Sequence, residues 1–136
     1  MVADIRELAK NGLTRLVAVG DEDDIHGLDR RLQESLGSQL HITRSLPHFC
    51  EILHPQGGKH NALAWLSRHL GISRDQVAAF GNGYNDVHML QWVGLSVAVA
   101  GAVREVLEVA DRVAPPMEMD GAAIVLEELL EHGLVG

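Results

Sequence analysis

The alternation of apolar segments predicts an α/β chain. A doubly wound parallel sheet with helices on both faces fills the second half, and an α+β piece precedes it. Three observations carry this. From Lys59 onward, helical and strand-like segments alternate, as βαβ units require. The first fifty or so residues instead run helix, strand, helix, strand, strand, so a boundary falls near His54. Finally, 136 residues of which 46% are hydrophobic suffice for a core that hides roughly two-thirds of the unfolded chain's surface.

The elements follow in order. Ile5, Leu8 and Ala9 stand at helical spacing, closed by Asn11-Gly12. Leu13–Gly20 is short, rich in Leu and Val and bounded by glycines, which predicts a strand. The acidic run Asp21–Asp24 opens a helix carrying Ile25, Leu28, Leu32 and Leu36 and ending at Gly37. Negative charge at a helix start is favoured by the backbone dipole, so this run reads as a solvated helix start and not as a metal site. Gln39–Leu46 and His48–His54 read as strands separated by Pro47. After Pro55-Gln56-Gly57-Gly58, a helix spans Lys59 to Leu70 with Ala62, Leu63, Leu66 and Leu70 on one face. Ser73 and Gln76 have capping-box spacing, and Val77–Phe80 reads as a buried parallel strand. A turn at Gly81-Asn82-Gly83 leads to a helix with Val87, Met89, Leu90 and Val93. Leu95–Ala100 (strand), Ala102–Val109 (helix), Arg112–Ala114 (strand) and Gly121–His132 (helix) complete the chain.

Composition excludes several classes of function. Eleven basic residues against nineteen acidic give a net charge of −8, without a basic patch, so nucleic acid and anionic membranes are poor partners. A single cysteine, Cys50, rules out an internal disulfide and reads as a buried apolar thiol. No apolar run approaches the length of a membrane span and no basic-then-apolar leader opens the chain, so the expectation is a soluble, cytoplasmic protein. None of the eight histidines forms an H-x-x-x-H or H-E-x-x-H pair on a predicted helix, which argues against a transition-metal site. Trp65 and Trp92 read as packing anchors.

Ligands of an open parallel sheet gather beyond the carboxyl ends of its strands. Two segments there are unusually polar. Gly57-Gly58-Lys59-His60-Asn61 sets a glycine pair and a lysine at a helix start, an arrangement suited to an anion. The alternative is a plain surface lysine, and the spacing is not that of a nucleotide-binding loop. Phe80-Gly81-Asn82-Gly83-Tyr84-Asn85-Asp86 offers oxygens from Asn82, Asn85 and Asp86 of the kind magnesium accepts. An ordinary strand-to-helix turn capped by the same residues is equally compatible.

Together these segments resemble the C-terminal part of the haloacid-dehalogenase-like phosphatases, specifically the Cof-type subgroup. The resemblance runs through E-I-L-H-P-Q-G-G-K-H-N-A-L (Glu51–Leu63), L-G-I (Leu70–Ile72) and F-G-N-G-Y-N-D-V-H-M-L (Phe80–Leu90). It continues through S-V-A-V-A (Ser96–Ala100), A-D-R-V-A (Ala110–Ala114) and D-G-A-A (Asp120–Ala123). It implies a partial Rossmann-like sheet. Residues 1–54 would be a remnant of the α/β cap, and residues 55–136 the C-terminal half of the core.

It further implies roles. Lys59 falls where the family's lysine holds the substrate phosphate and steadies the nucleophile, so it is the expected catalytic and phosphate-binding residue. Asn85 matches an asparagine near the phosphate. Asn82 stands where the family usually has an aspartate on magnesium, and Asp86 matches a carboxylate that orients the metal site. With Asn82 neutral, magnesium binding is expected to be weak. The family's D-x-D-G-[TS], which supplies the aspartate nucleophile, occurs nowhere in the 136 residues. The expectation is therefore a phosphatase of small phosphorylated metabolites, in truncated form, without turnover by itself. A non-catalytic binding or assembly module derived from such an enzyme is the alternative. Without the family's neighbouring strand, Val77–Phe80 would leave an open edge, so a homo-oligomer, or a polypeptide supplying the other half of the core, is the expected partner.

Overall fold

The structure, a computed structural model, describes residues 4, 6, 7, 10 and 12–133. The helix expected around Ile5, Leu8 and Ala9 lies outside the described residues. The rest divides into two compact units, residues 1–58 and 59–136. The division falls at the far end of the loop that follows His54. That loop stays with the first unit, because the Gly57 N–H donates to the His54 carbonyl (2.7 Å).

In the first unit, β1 (Arg15–Val19), α1 (Glu22–Leu36), β2 (His41–Leu46) and β3 (Phe49–Leu53) form one layer of sheet and one of helix. The sheet is antiparallel in the order β1-β3-β2, with Val17 opposite Glu51 and Ile42 opposite Ile52. Alternation along the strands turns Ala18, Ile42, Cys50 and Ile52 to one face, where Ile25, Leu28, Leu32 and Leu36 of α1 cover them. Glu22, Asp23 and Asp24 occupy the first turn of α1, as the helix dipole favours. Arg44, buried on the same face, pairs with Asp29 of α1 at 3.5 Å.

The second unit comprises α2 (Lys59–Leu70), a 3-10 turn (Arg74–Gln76), β4 (Ala78–Gly81), a 3-10 turn (Tyr84–Asp86) and α3 (Val87–Trp92). It continues with β5 (Leu95–Ala98), α4 (Arg104–Val109), β6 (Arg112–Val113), a 3-10 turn (Met117–Met119) and α5 (Gly121–Glu131). Its sheet is parallel in the order β4-β5-β6, with Phe80 opposite Val97 and Val97 opposite Arg112. Neighbouring strand residues serve opposite layers. Ala79 and Ala98 join Leu90, Val93 and Val106, while Val97 and Phe80 join Ala114, Val125 and Leu129. That two-sided burial is the doubly wound arrangement expected. The capping box is present, with the Ser73 N–H donating to Gln76 Oε1 at 3.1 Å, but it starts a single 3-10 turn.

Four expectations shift. Trp65, expected as a packing anchor, is 59% exposed and stacks on the His69 ring of its own helix, because it lies on the outer side of α2. α2 turns inward a stripe that contains Leu63 and the buried Ser67, and leaves Leu66 and Leu70 42% and 58% exposed. The helix packs on α3, so the inward stripe lies beside the most apolar one. α4 starts at Arg104 because the chain first turns through Gly101, at φ +82°. β6 keeps two residues. Among the described residues, β4 has a strand neighbour on one side only, and no helix is long and apolar enough to cross a membrane.

Candidate functional site

The site sits in the second unit, where β4 ends and α2 begins. Gly58 delivers the chain to α2 at φ +94°, a backbone that L side chains rarely adopt, and a Cβ there would meet the His41 ring at 2.7 Å. Lys59 is the first residue of α2. Its side chain is half exposed, yet its Nζ is held at two points, by Asp86 Oδ1 and, at 3.5 Å, by Asn85 Oδ1.

Asp86 is the organising group. Its side chain is 4% exposed, and its second oxygen, Oδ2, accepts the backbone N–H of Asn82 at 2.9 Å and of Gly83 at 3.0 Å. Burial pushes its pKa up, but the hydrogen bond from Lys59 and those from the Gly83 and Asn82 amides outweigh burial. The carboxyl is held below its ordinary value and is ionised at neutral pH. Gly81 makes room for it, since a Cβ there would lie 2.6 Å from Asp86 Cβ. The Asn82 carbonyl accepts from the Val103 N–H at 2.9 Å, and that ties the turn to the approach of α4.

The structure thus brings Lys59, Asn85 and Asp86 together, with Asn82 in the same turn and its side chain exposed. An ammonium has three N–H donors, and two are spent on Asp86 and Asn85, which leaves one for an incoming anion. A magnesium ion is less well provided for. Both Asp86 oxygens are engaged, Asn82 brings a neutral oxygen, and among the described residues no three His, Cys, Asp or Glu side chains converge. These residues alone do not fit a divalent site, which calls for carboxylate oxygens. Asp86 stands behind the turn, with both oxygens already turned to Lys59 and the backbone amides.

Two contacts escaped sequence reasoning. His60 and His88 meet edge to face, ring centroids 5.4 Å apart, and burial first, then His88, lowers the pKa of His60. Only the packing of α2 on α3 joins them, so no local spacing could have announced the pair. Beneath β5, Ser96 Oγ donates to Asp111 Oδ2 (2.7 Å) and accepts from the Asp111 N–H (3.0 Å).

The profile of the haloacid dehalogenase-like hydrolases matches residues 2–126. A protein of Haemophilus influenzae assigned as a phosphatase is 33% identical over 122 residues, covering 90% of this chain and 46% of that protein. An HMP-PP phosphatase of an Enterobacter species is 33% identical over 106 residues, 78% of this chain and 39% of the relative. Among solved structures, a haloacid dehalogenase-like hydrolase from B. subtilis superposes with a TM-score of 0.82 at 22% identity. It covers 94% of this chain and 46% of its own, and at that identity the likeness is one of fold. The chain spans less than half the length of each of these proteins.

Proposed function

The chain belongs to the haloacid dehalogenase-like hydrolase family, and from that premise we propose that it carries the phosphate-facing part of a Cof-type phosphatase of small phosphorylated metabolites. The observation that carries the reading is Lys59, a half-exposed ammonium fixed by a buried carboxylate at the end of a parallel strand. Lys59 would bind and neutralise a phosphate oxygen, Asn85 would flank it, and Asp86 would keep both in register with the turn. Transfer through an aspartyl-phosphate needs a carboxylate nucleophile. These 136 residues contain no D-x-D-G-[TS], so the proposal is that this stretch by itself binds phosphate without turning it over. Magnesium dependence, as is usual in the family, would then rest on carboxylates beyond those present here. The free thiol of Cys50 accords with the cytoplasmic setting we propose.

The test is turnover of a generic phosphomonoester with and without magnesium, beside binding of inorganic phosphate, for the chain and for Lys59→Ala. Phosphate binding that Lys59→Ala abolishes, with no turnover in either protein, is the expected result. Magnesium-dependent turnover lost in Lys59→Ala would mean that a nucleophile lies within the chain, and would overturn the reading.

A binding or assembly module is the second reading. It is favoured by the neutral Asn82 and by the lack of a carboxylate cluster among the described residues. A polypeptide bearing a strand followed by D-x-D-G-T could join along the open side of β4. Turnover restored by adding such a polypeptide favours the phosphatase part; phosphate binding without restoration favours the module.

A further inference from the structure

We infer that β1 of the first unit pairs with the β1 of a second copy, antiparallel and centred on Val17, so that two three-stranded sheets become one. The inference concerns an edge in the first unit, not β4, and is independent of the phosphate site.

The two edges of the first sheet differ. The β2 edge carries His41, Thr43, Arg44 and Ser45 and is interrupted by an irregularity between Arg44 and Leu46, both common ways of blunting an edge. The β1 edge has no bulge, and Leu16, Val17 and Val19 are 36%, 43% and 70% exposed, with Leu13 just before them at 44%. α1 packs mainly on β2 and β3 and reaches β1 through Ala18, so the outer rim of β1 is its less covered side.

The ladder fixes which groups face outward. The Gly20 N–H donates to the His48 carbonyl at 3.2 Å, and hydrogen-bonded pairs alternate along an antiparallel ladder. Leu16 and Ala18 therefore bond to β3, while the N–H and C=O groups of Arg15, Val17 and Val19 point to the open side. A second β1 uses every one of these groups only with Val17 opposite Val17 and each Arg15 opposite the other copy's Val19. In that register side chains keep their faces, with Leu16 meeting Ala18 on the side of α1.

Charge selects the occupant. The strand begins with Arg15, whose guanidinium pairs with Glu51 of its own chain at 3.1 Å but is 57% exposed, and is followed at its other end by Asp21, Glu22, Asp23 and Asp24. An antiparallel copy brings the arginine of one chain towards the acidic run of the other at both ends. A parallel copy would set like charge against like. The segment is thus complementary to itself reversed, as a two-fold dimer requires. A seam this narrow belongs at the small end of protein interfaces, so association is weak and calls for high protein concentration.

The test is cysteine cross-linking of the full chain. In the proposed pair the two Val17 Cα atoms are about 5.5 Å apart, within disulfide reach, whereas the two Val19 Cα atoms are about 14 Å apart. Under mild oxidation, Val17→Cys should give a disulfide dimer and Val19→Cys should not, although Val19 is the more exposed. Native Cys50 is fully buried and does not compete. Sedimentation supplies the second reading. The average mass should rise above 14.8 kDa with concentration and stay there in Val17→Lys. Position 17 is 43% exposed on an edge strand, so the fold tolerates that lysine, which meets its own copy across the seam. Equal cross-linking at both positions, or a constant monomer mass at about 1 mM, overturns the inference, as does a Val17→Lys chain that associates as strongly as the native one.

Discussion

Replacing Asp86 by Asn removes one charge from the centre of the site and almost no volume, so its cost isolates what the carboxylate does. The amide can still accept from the Asn82 and Gly83 N–H groups, but its NH2 then faces Lys59, donor against donor. Lost are a charge-assisted bond to Lys59 and the charge assistance of two backbone bonds, each such bond worth about 1.5–3 kcal/mol with its charge and about 1 without. The Lys59 contribution is reduced because that side chain is 50% exposed and its charge can turn to water. The total is about 2–3 kcal/mol at neutral pH.

Trp65 and Trp92 both belong to the second unit, so tryptophan emission during urea unfolding follows that unit. With a slope of about 1 kcal/mol/M for a unit of this size, the midpoint should fall by about 2–3 M. The pH dependence gives the sharper reading. The folded pKa of Asp86 lies below the unfolded value, near 4, so its contribution is complete above about pH 5. As pH falls through the folded pKa that contribution disappears, so the gap between wild type and Asp86→Asn should close towards acid. A gap that stays constant down to about pH 2.5, or no gap at pH 7, would refute the assignment of Asp86 as an ionised anchor.

Further outcomes follow from the same geometry. Gly81→Ala places a Cβ 2.6 Å from Asp86 Cβ and 3.1 Å from Leu90 Cδ1. It should cost about 2 kcal/mol, read as a fall of about 10 °C in Tm by circular dichroism. Ser96→Ala removes a buried hydroxyl that both donates to and accepts from Asp111, and should lower urea stability by about 1–2 kcal/mol. Hydrogen bonds from the Ser96 hydroxyl and amide hold the Asp111 carboxyl below its ordinary pKa, so that cost too should shrink below about pH 4. Cys50 is fully buried, and burial first, then Asp29, raises its thiol pKa, so a disulfide exchange reagent at pH 8 should label it only after unfolding.

What could be read from the sequence was what is local or periodic. The bounds of α2 at Lys59 and Leu70 follow from the glycines on either side, and the two layers of the second unit follow from strand alternation at Ala79, Phe80, Val97 and Ala98. Asn85 and Asp86 could be placed at the carboxyl end of β4 from the strand-to-helix turn, whereas Lys59, at the start of α2, was joined to them only by the family resemblance. The inward stripe of α2 was not, because a helix resting on α3 instead of a wide sheet follows its neighbour's shape, not its own strongest apolar face. The Ser96–Asp111 link was hidden for a similar reason: a serine between two apolar strand residues carries no sign of a partner one βαβ unit away. Nor did composition reveal that Asp86 spends both oxygens inside the protein, since a motif names a residue and not the bonds already made.

The tether on Lys59 also bears on the entropy and rate of ligand capture. A free surface lysine samples many rotamers and surrenders about 2 kcal/mol of side-chain freedom when it closes on a ligand. Here folding has already taken part of that freedom away, through Asp86 and Asn85. On the proposed reading, an arriving phosphate would meet a charge already partly aimed, with less left to order between encounter and binding.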